Sequence, residues 1–76
     1  MTTYKPPTYT PCENLRKIRE EKGLTQTQLS RLLILAGYNI SASYISRFEL
    51  GYTKPWANAK KGISEVLETD EKILFG

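Results

Sequence analysis

The chain has 76 residues with 11 basic and 8 acidic side chains, a net charge of +3, one cysteine and no histidine. This length suffices for one small domain but not for a deep substrate cavity, and the composition excludes intrachain disulfides, Cys/His zinc sites and histidine acid–base chemistry, so we expect no metal and no cofactor. The sequence contains neither a run of about 18 apolar residues nor a signal peptide, which favours a cytoplasmic protein without a membrane span.

Residues 1–9 contain two prolines, two tyrosines and few core-forming side chains. We predict a flexible N-terminal arm there and a folded domain over residues 10–76. The segment Thr10-Pro11-Cys12-Glu13 has the pattern of a capping box with proline at the first helical position, so helix one is predicted from this box to Lys22. Cys12 is expected in that helix as a small buried side chain and not as a nucleophile, because no histidine is present to activate it.

Helix two is predicted to begin at Thr25, whose hydroxyl can form a second capping box with the side chain of Gln28. Four apolar positions at helical spacing form its predicted buried stripe: Leu29, Leu32, Leu33 and Ala36. Ile34 and Leu35 add apolar character outside that stripe. Either the connection over residues 38–40 covers this pair inside the monomer, which we favour, or the pair forms an apolar patch for a second subunit.

Helix three is predicted over Ala42–Leu50, between a serine cap at Ser41 and Gly51, which can adopt the left-handed conformation that ends a helix. Ile45 and Phe48 form its apolar stripe. Four residues are left to point elsewhere: Ala42, Ser43, Ser46 and Arg47. Small polar side chains and one arginine suit a groove, although an ordinary solvated face has the same composition.

Helix four is predicted to begin at Pro55, with an amphipathic stripe formed by Trp56, Ala59, Ile63, Val66 and Leu67. Gly62 interrupts this helix and indicates the close approach of another helix. Thr69 is the predicted cap of a short fifth helix whose apolar residues close the core: Ile73, Leu74 and Phe75. No strand-like alternation is present, so the predicted fold class is all-α with five helices, in which residues 25–54 form a helix-turn-helix.

Three segments carry a resemblance to a known family: LRKIREEKGLTQ over residues 15–26, ISRFELG over residues 45–51, and Lys54-Pro55. In this order they resemble the phage repressor and Cro-type (XRE-like) helix-turn-helix family, over most of the chain. The resemblance implies a compact five-helix, lambda-repressor-like DNA-binding domain. The family's usual spacing between the two helix caps is several residues shorter, so the resemblance also implies an extended connection between helices two and three.

The resemblance assigns roles to residues at matching positions. It implies that Gln26 contacts a DNA phosphate and that the outward residues of helix three face the major groove as base contacts: Ala42, Ser43, Ser46 and Arg47. Arg47 is the preferred base reader, because its planar fork can pair with O6 and N7 of guanine. Thr53 and Lys54 match positions that bind backbone phosphates in the family. Arg19 and Glu49 match a pair that forms a structural salt bridge between helices one and three.

Two functions compete for this sequence. The first is a small transcription regulator of the phage or mobile-element type, such as a repressor, which binds double-stranded DNA as a homodimer because a single recognition helix buries little surface. The alternative is a protein-binding module that binds RNA polymerase or another host regulator through an apolar surface: Ile34, Leu35, Tyr38 and Tyr52. An enzyme is not expected, because the chain has no Gly-rich phosphate loop and no nucleophile beside a base.

Overall fold

The computed structural model describes residues 9–76 and contains five helices and no strand in this part of the chain. The helices are α1 (Glu13–Glu21), α2 (Gln26–Leu35), α3 (Ala42–Leu50), α4 (Ala57–Leu67) and α5 (Glu71–Phe75). The predicted all-α fold with five helices is therefore confirmed. Within residues 9–76, none of the helices has the length and apolar character needed to cross a membrane.

One apolar core holds the five helices together. α2 packs against α3 and α4, α1 packs against α3 and α5, and α4 packs against α5. Every helix contributes to the core, whose largest fully buried side chains are Leu15, Leu29, Leu33, Ile45, Phe48, Ile63, Leu67 and Leu74. Burial of a leucine, isoleucine or phenylalanine side chain contributes roughly 1.5–3 kcal/mol, so this core is the main source of stability.

The starts of α2 and α3 follow the predicted caps. The Thr25 hydroxyl accepts the Gln28 N–H at 3.1 Å, and the Gln28 side chain accepts the Thr25 N–H at 2.9 Å, which completes a capping box. Ser41 caps α3 by accepting the N–H of Tyr44 at 3.4 Å. Gly51 ends α3 with a φ of 85°, a conformation that glycine adopts without steric cost.

The start of α1 differs from the prediction. The capping box at Thr10 does not form; α1 begins at Glu13, and Cys12 is its N-cap residue without a side-chain capping bond. The backbone N–H of Cys12 instead donates to the Phe48 carbonyl at 3.1 Å, and that of Tyr9 donates to the Gly51 carbonyl at 2.9 Å. The chain before α1 therefore lies along the C-terminal end of α3. Of the predicted arm, all but Tyr9 lies outside the described residues.

The last two helices also correct details of the prediction. α4 begins at Ala57, after the buried Pro55, and Trp56 is its N-cap residue. Asp70, and not Thr69, caps α5, because the Asp70 carboxylate accepts the N–H of Lys72 at 2.9 Å. Of the three apolar residues expected to close the core, Leu74 is buried, Phe75 is half-buried and Ile73 is exposed.

The C-terminal end of α2 is not covered by the connection that follows it. The exposed fractions of Leu32, Ile34 and Leu35 are 39%, 53% and 84%. The prediction that the connection covers Ile34 and Leu35 inside the monomer is therefore wrong. Ala36, assigned to the buried stripe with Leu32, is also exposed, so only Leu29 and Leu33 of that stripe are fully buried.

The connection turns toward α4 instead. A Cβ atom added at Gly62 would lie 2.6 to 2.9 Å from the nearest ring atoms of Tyr38, so the missing side chain makes room for this ring. The Tyr38 hydroxyl donates to Glu65 Oε2 at 2.9 Å, and the Ser30 hydroxyl donates to the Ile40 carbonyl at 2.7 Å. Gly62 thus does mark a close approach, but the neighbour is an aromatic ring of a connection and not another helix.

Candidate nucleic-acid interface

The outward face of α3 forms a shallow depression together with the start of α2. Its volume is about 360 Å³, and it is lined by Gln26, Ala42, Ser43, Ser46 and Arg47. These are the five residues to which the family resemblance assigns base contacts and the first phosphate contact. The fold brings them together because α3 packs against α2, and the buried Ile45 turns away from the depression.

The depression presents small groups and one cation. Ser43 and Arg47 are exposed, whereas Gln26, Ala42 and Ser46 are half-buried. No carboxylate lines the depression, so its local charge is positive. Serine hydroxyls can pair with several bases, an alanine methyl can contact the thymine methyl, and arginine can pair with guanine at two atoms. The set is chemically suited to the floor of a major groove.

A buried ion pair fixes α3 on its inner side. Arg19 Nε donates to Glu49 Oε2 at 2.7 Å and Arg19 Nη2 donates to Glu49 Oε1 at 3.1 Å, while Arg19 Nη1 donates to the Leu24 carbonyl at 2.7 Å. The side-chain hydrogen bond with Glu49 raises the pKa of Arg19 above its ordinary value. The salt bridge expected between α1 and α3 is thus present, and it also ties the loop before α2 to both helices.

Gln26 is part of the same network. Its Nε2 donates to Glu49 Oε1 at 3.1 Å, so one of its two amide N–H groups is already used inside the protein. The second N–H is left for an outside acceptor such as a phosphate oxygen. The network therefore holds Gln26 at the edge of the depression in a defined position.

Thr53 and Lys54 lie elsewhere. Thr53 is half-buried, and its backbone N–H donates to the Arg47 carbonyl at 3.4 Å, at the end of α3. Lys54 is exposed and lines a second depression of about 400 Å³ together with Tyr9, Pro55, Lys60 and Phe75, among others. The two residues thus flank α3 at its C-terminal end and do not join the depression on its outward face.

Tyr44, which lies under the Arg47 guanidinium, and Trp56, which packs on Tyr44, were not assigned to the site by sequence reasoning. Tyr44 on α3 and Trp56 before α4 have exposed fractions of 39% and 42%, and their rings meet edge to face with centroids 5.2 Å apart. The Arg47 guanidinium lies 5.7 Å from the centroid of the Tyr44 ring. The spacing of three between Tyr44 and Arg47 could have indicated their contact, but the contribution of Trp56 depends on tertiary packing.

The residues of the alternative protein-binding surface are only partly accessible. Ile34 and Leu35 are exposed at the end of α2, and Tyr52 is exposed after α3. Tyr38 is half-buried, because its ring packs on Gly62 and its hydroxyl bonds to Glu65, which also raises the pKa of the phenol above its ordinary value. Leu32, which the sequence placed in the core, joins the exposed pair instead. We call Leu32, Ile34 and Leu35 the apolar end of α2.

Features of catalysis are scarce in the described part of the chain. Burial raises the pKa of the Cys12 thiol above its ordinary value, and a raised pKa lowers the fraction of reactive thiolate. Among residues 9–76, no three His, Cys, Asp or Glu side chains are grouped closely enough to hold a metal ion. The side chains that converge do so on the depression of α3.

One protein-family model matches most of the chain. The helix-turn-helix family model matches residues 15–72, which include both helices of the depression and the Arg19–Glu49 pair. No significant match was found among curated proteins or among solved structures. The matched segment covers well over half of the 76 residues, and the family is one of DNA-binding regulators. The chain belongs to the helix-turn-helix family of the XRE-like, Cro and repressor type.

Proposed function

We propose that this protein is a sequence-selective transcription regulator that places α3 in the major groove of double-stranded DNA. The observation that carries the proposal is the depression lined by Gln26 and the four outward residues of α3. A protein surface that reads DNA needs hydrogen-bonding and apolar groups at base edges and cationic or amide donors at phosphates. The outward face of α3 supplies the groups for base edges, and Gln26, Thr53 and Lys54 beside it supply the donors for phosphates.

In this proposal, each side chain has a distinct role. Arg47 reads a guanine through O6 and N7, while the two serines and the alanine of α3 contact neighbouring base edges: Ala42, Ser43 and Ser46. Three residues bind phosphates on either side of the groove: Gln26, Thr53 and Lys54. Phosphate contacts fix the register of the helix, and base contacts supply the selectivity.

The proposal includes pairing of two copies on DNA. A single small module buries a limited area on DNA, and dimers gain affinity and selectivity by binding two half-sites one helical turn apart. The domain thus acts as a homodimer in the cytoplasm, as a regulator of the phage or mobile-element type.

The test is a salt titration of binding to duplex DNA. Because phosphate contacts release counterions, the logarithm of the binding constant should fall steeply and linearly with the logarithm of the salt concentration. Arg47→Ala should weaken binding to a preferred site by about 10-fold or more and change binding to random DNA far less. Lys72→Ala is the matched control, since it removes one exposed charge on α5, which packs on α1 and α4.

A second candidate function is a protein-binding module that modulates RNA polymerase or another host regulator. The apolar end of α2 favours it, because three large aliphatic side chains are exposed within four successive positions of one helix, although Leu33 between them is buried. A stoichiometric protein partner that is lost in Leu35→Ser, together with no retention of DNA at low salt, would decide for this function. Weaker binding to the preferred duplex in Arg47→Ala, with normal binding in Leu35→Ser, would decide against it.

A further inference from the structure

We infer that Tyr44 and Trp56 hold the guanidinium of Arg47 in a fixed direction at the outward face of α3. Tyr44 is then a positioning residue for base recognition, and Trp56 fixes Tyr44. The inference rests on the proposed DNA-binding function. It adds two residues that affect DNA selectivity without belonging to the outward residues of α3 that contact bases.

The aromatic support begins in the core. Phe48 is fully buried, and the ring of Trp56 meets it at a centroid distance of 5.3 Å and an angle of 77°. The same indole meets Tyr44 at 5.2 Å and 90°, while Tyr44 and Phe48 lie 6.2 Å apart. Edge-to-face contacts at these distances are attractive beyond the area they bury. The Tyr44 ring therefore packs edge to face on Trp56 and lies near Phe48 at a tilt of 34°, while Tyr44 is still partly exposed.

The Arg47 guanidinium lies over the Tyr44 ring. Its Cζ atom lies 5.7 Å from the centroid of the Tyr44 ring, within the range of a cation–π interaction. The ion pairs of residues 9–76 are Arg16–Glu20 and Arg19–Glu49, so no carboxylate of the described chain competes for Arg47. A planar guanidinium over a ring is restricted in direction, yet its N–H groups can still bond to O6 and N7 of guanine. The support thus pre-orders the base reader before DNA arrives.

The position of Trp56 argues against a purely capping role. Trp56 is the N-cap residue of α4, where serine, threonine, aspartate and asparagine are preferred for their side-chain bond to the helix. Trp56 makes no such bond. Its side chain instead packs against Tyr44 and Phe48, although 42% of its surface remains exposed. The presence of tryptophan at this position is best explained by the packing of its indole against the Tyr44 ring.

The test compares Tyr44→Leu with the matched control Tyr44→Phe, which keeps the ring and loses only the hydroxyl. The first readout is the ratio of affinities for a duplex selected by the wild-type protein and for random duplex. We expect Tyr44→Leu to lower this ratio by about 3-fold or more and Tyr44→Phe to change it by less than about 2-fold. The second readout is NMR of the free protein, in which the side-chain protons of Arg47 should show a ring-current shift in the wild type and in Tyr44→Phe, but not in Tyr44→Leu.

The results of this experiment distinguish a failure of the positioning role of Tyr44 from a failure of the proposed DNA-binding function. If the wild type binds duplex DNA but Tyr44→Leu keeps the same ratio, the positioning role is overturned and the DNA-binding function stands. If Tyr44→Phe loses as much as Tyr44→Leu, the hydroxyl contacts DNA directly, which also overturns the positioning role. If the wild type binds no duplex at all, the proposed function fails and this inference fails with it. Both tyrosine variants are exposed-site changes, and a thermal melt of each checks that it is folded.

Discussion

The outward face of α3 and the apolar end of α2 are both open to solvent, but they expose opposite chemistry. α3 presents two serines, one alanine and an arginine, while its other side is fixed by the buried Glu49 and by core residues. The apolar end of α2 presents three aliphatic side chains and no polar network. The difference teaches that the buried network holds the outward side chains of α3 in a defined position, whereas no such network lies behind the exposed side chains at the apolar end of α2.

The largest predicted effect on stability comes from removing the buried ion pair behind α3. Glu49→Ala leaves the buried Arg19 guanidinium without its carboxylate and releases Gln26, so the free energy of unfolding should fall by about 3 kcal/mol. Chemical denaturation measures this value. Glu20→Ala is the control, since it removes an exposed ion pair with Arg16 and should change stability by less than about 0.5 kcal/mol. Equal effects of the two substitutions would contradict a structural role for the buried pair.

The next effect concerns the connection between the two regions. Gly62→Ala forces a methyl group into the Tyr38 ring and should lower the free energy of unfolding by about 1–3 kcal/mol. In a Tyr38→Ala background the clash is gone, and the same substitution should stabilise α4 by about 1 kcal/mol through helix propensity. An effect of the same sign in both backgrounds would show that the ring does not pack on Gly62.

The apolar end of α2 should respond weakly. Leu35 is largely exposed, so Leu35→Ser should change the free energy of unfolding by less than about 0.5 kcal/mol and leave DNA affinity unchanged. Arg47→Ala should be equally mild for stability but should weaken binding to the preferred duplex by about 10-fold or more. Titration calorimetry with DNA and thermal denaturation of both variants measure the contrast. A Leu35→Ser protein that loses DNA binding would place that surface in the interface and remove the distinction between the two regions.

The smallest effect is a shift in the titration of one phenol. The hydrogen bond to Glu65 raises the pKa of Tyr38, so the stabilisation it contributes is present below the pH at which the unfolded chain ionises its tyrosine and is lost as pH rises through the folded-state pKa. NMR titration of the Tyr38 ring should show this raised value. Glu65→Ala should return the pKa toward its ordinary value, and an unchanged pKa would mean that the carboxylate does not accept the phenol proton.

Local signals explain most of what the sequence predicted correctly. The capping box at Thr25, the cap at Ser41 and the glycine at position 51 depend on neighbouring residues alone, so the start of α2 and both ends of α3 followed from them. The box at Thr10 did not form: α1 begins later, at Glu13, and the chain before it bonds to the end of α3 through the N–H groups of Tyr9 and Cys12. These contacts with a distant element are not contained in the local pattern.

Packing between distant residues explains what the sequence could not predict. Whether Ile34 and Leu35 are covered depends on where the Tyr38 ring packs. The ring packs on α4 at Gly62, a glycine 24 positions later in the sequence. The support of Tyr44 by Trp56 likewise joins two elements that periodicity treats separately. The outward residues of α3 were predictable, since helical spacing alone separates them from Ile45 and Phe48.

The most direct test of the account is an NMR titration of the backbone amides with duplex DNA. We predict that the largest shifts fall at Gln26 and at the outward residues of α3: Ala42, Ser43, Ser46 and Arg47. The amides of the apolar end of α2, at residues 32, 34 and 35, should shift little. Shifts concentrated at the apolar end of α2, or no shifts at low salt, would contradict the claim that the outward face of α3 binds DNA.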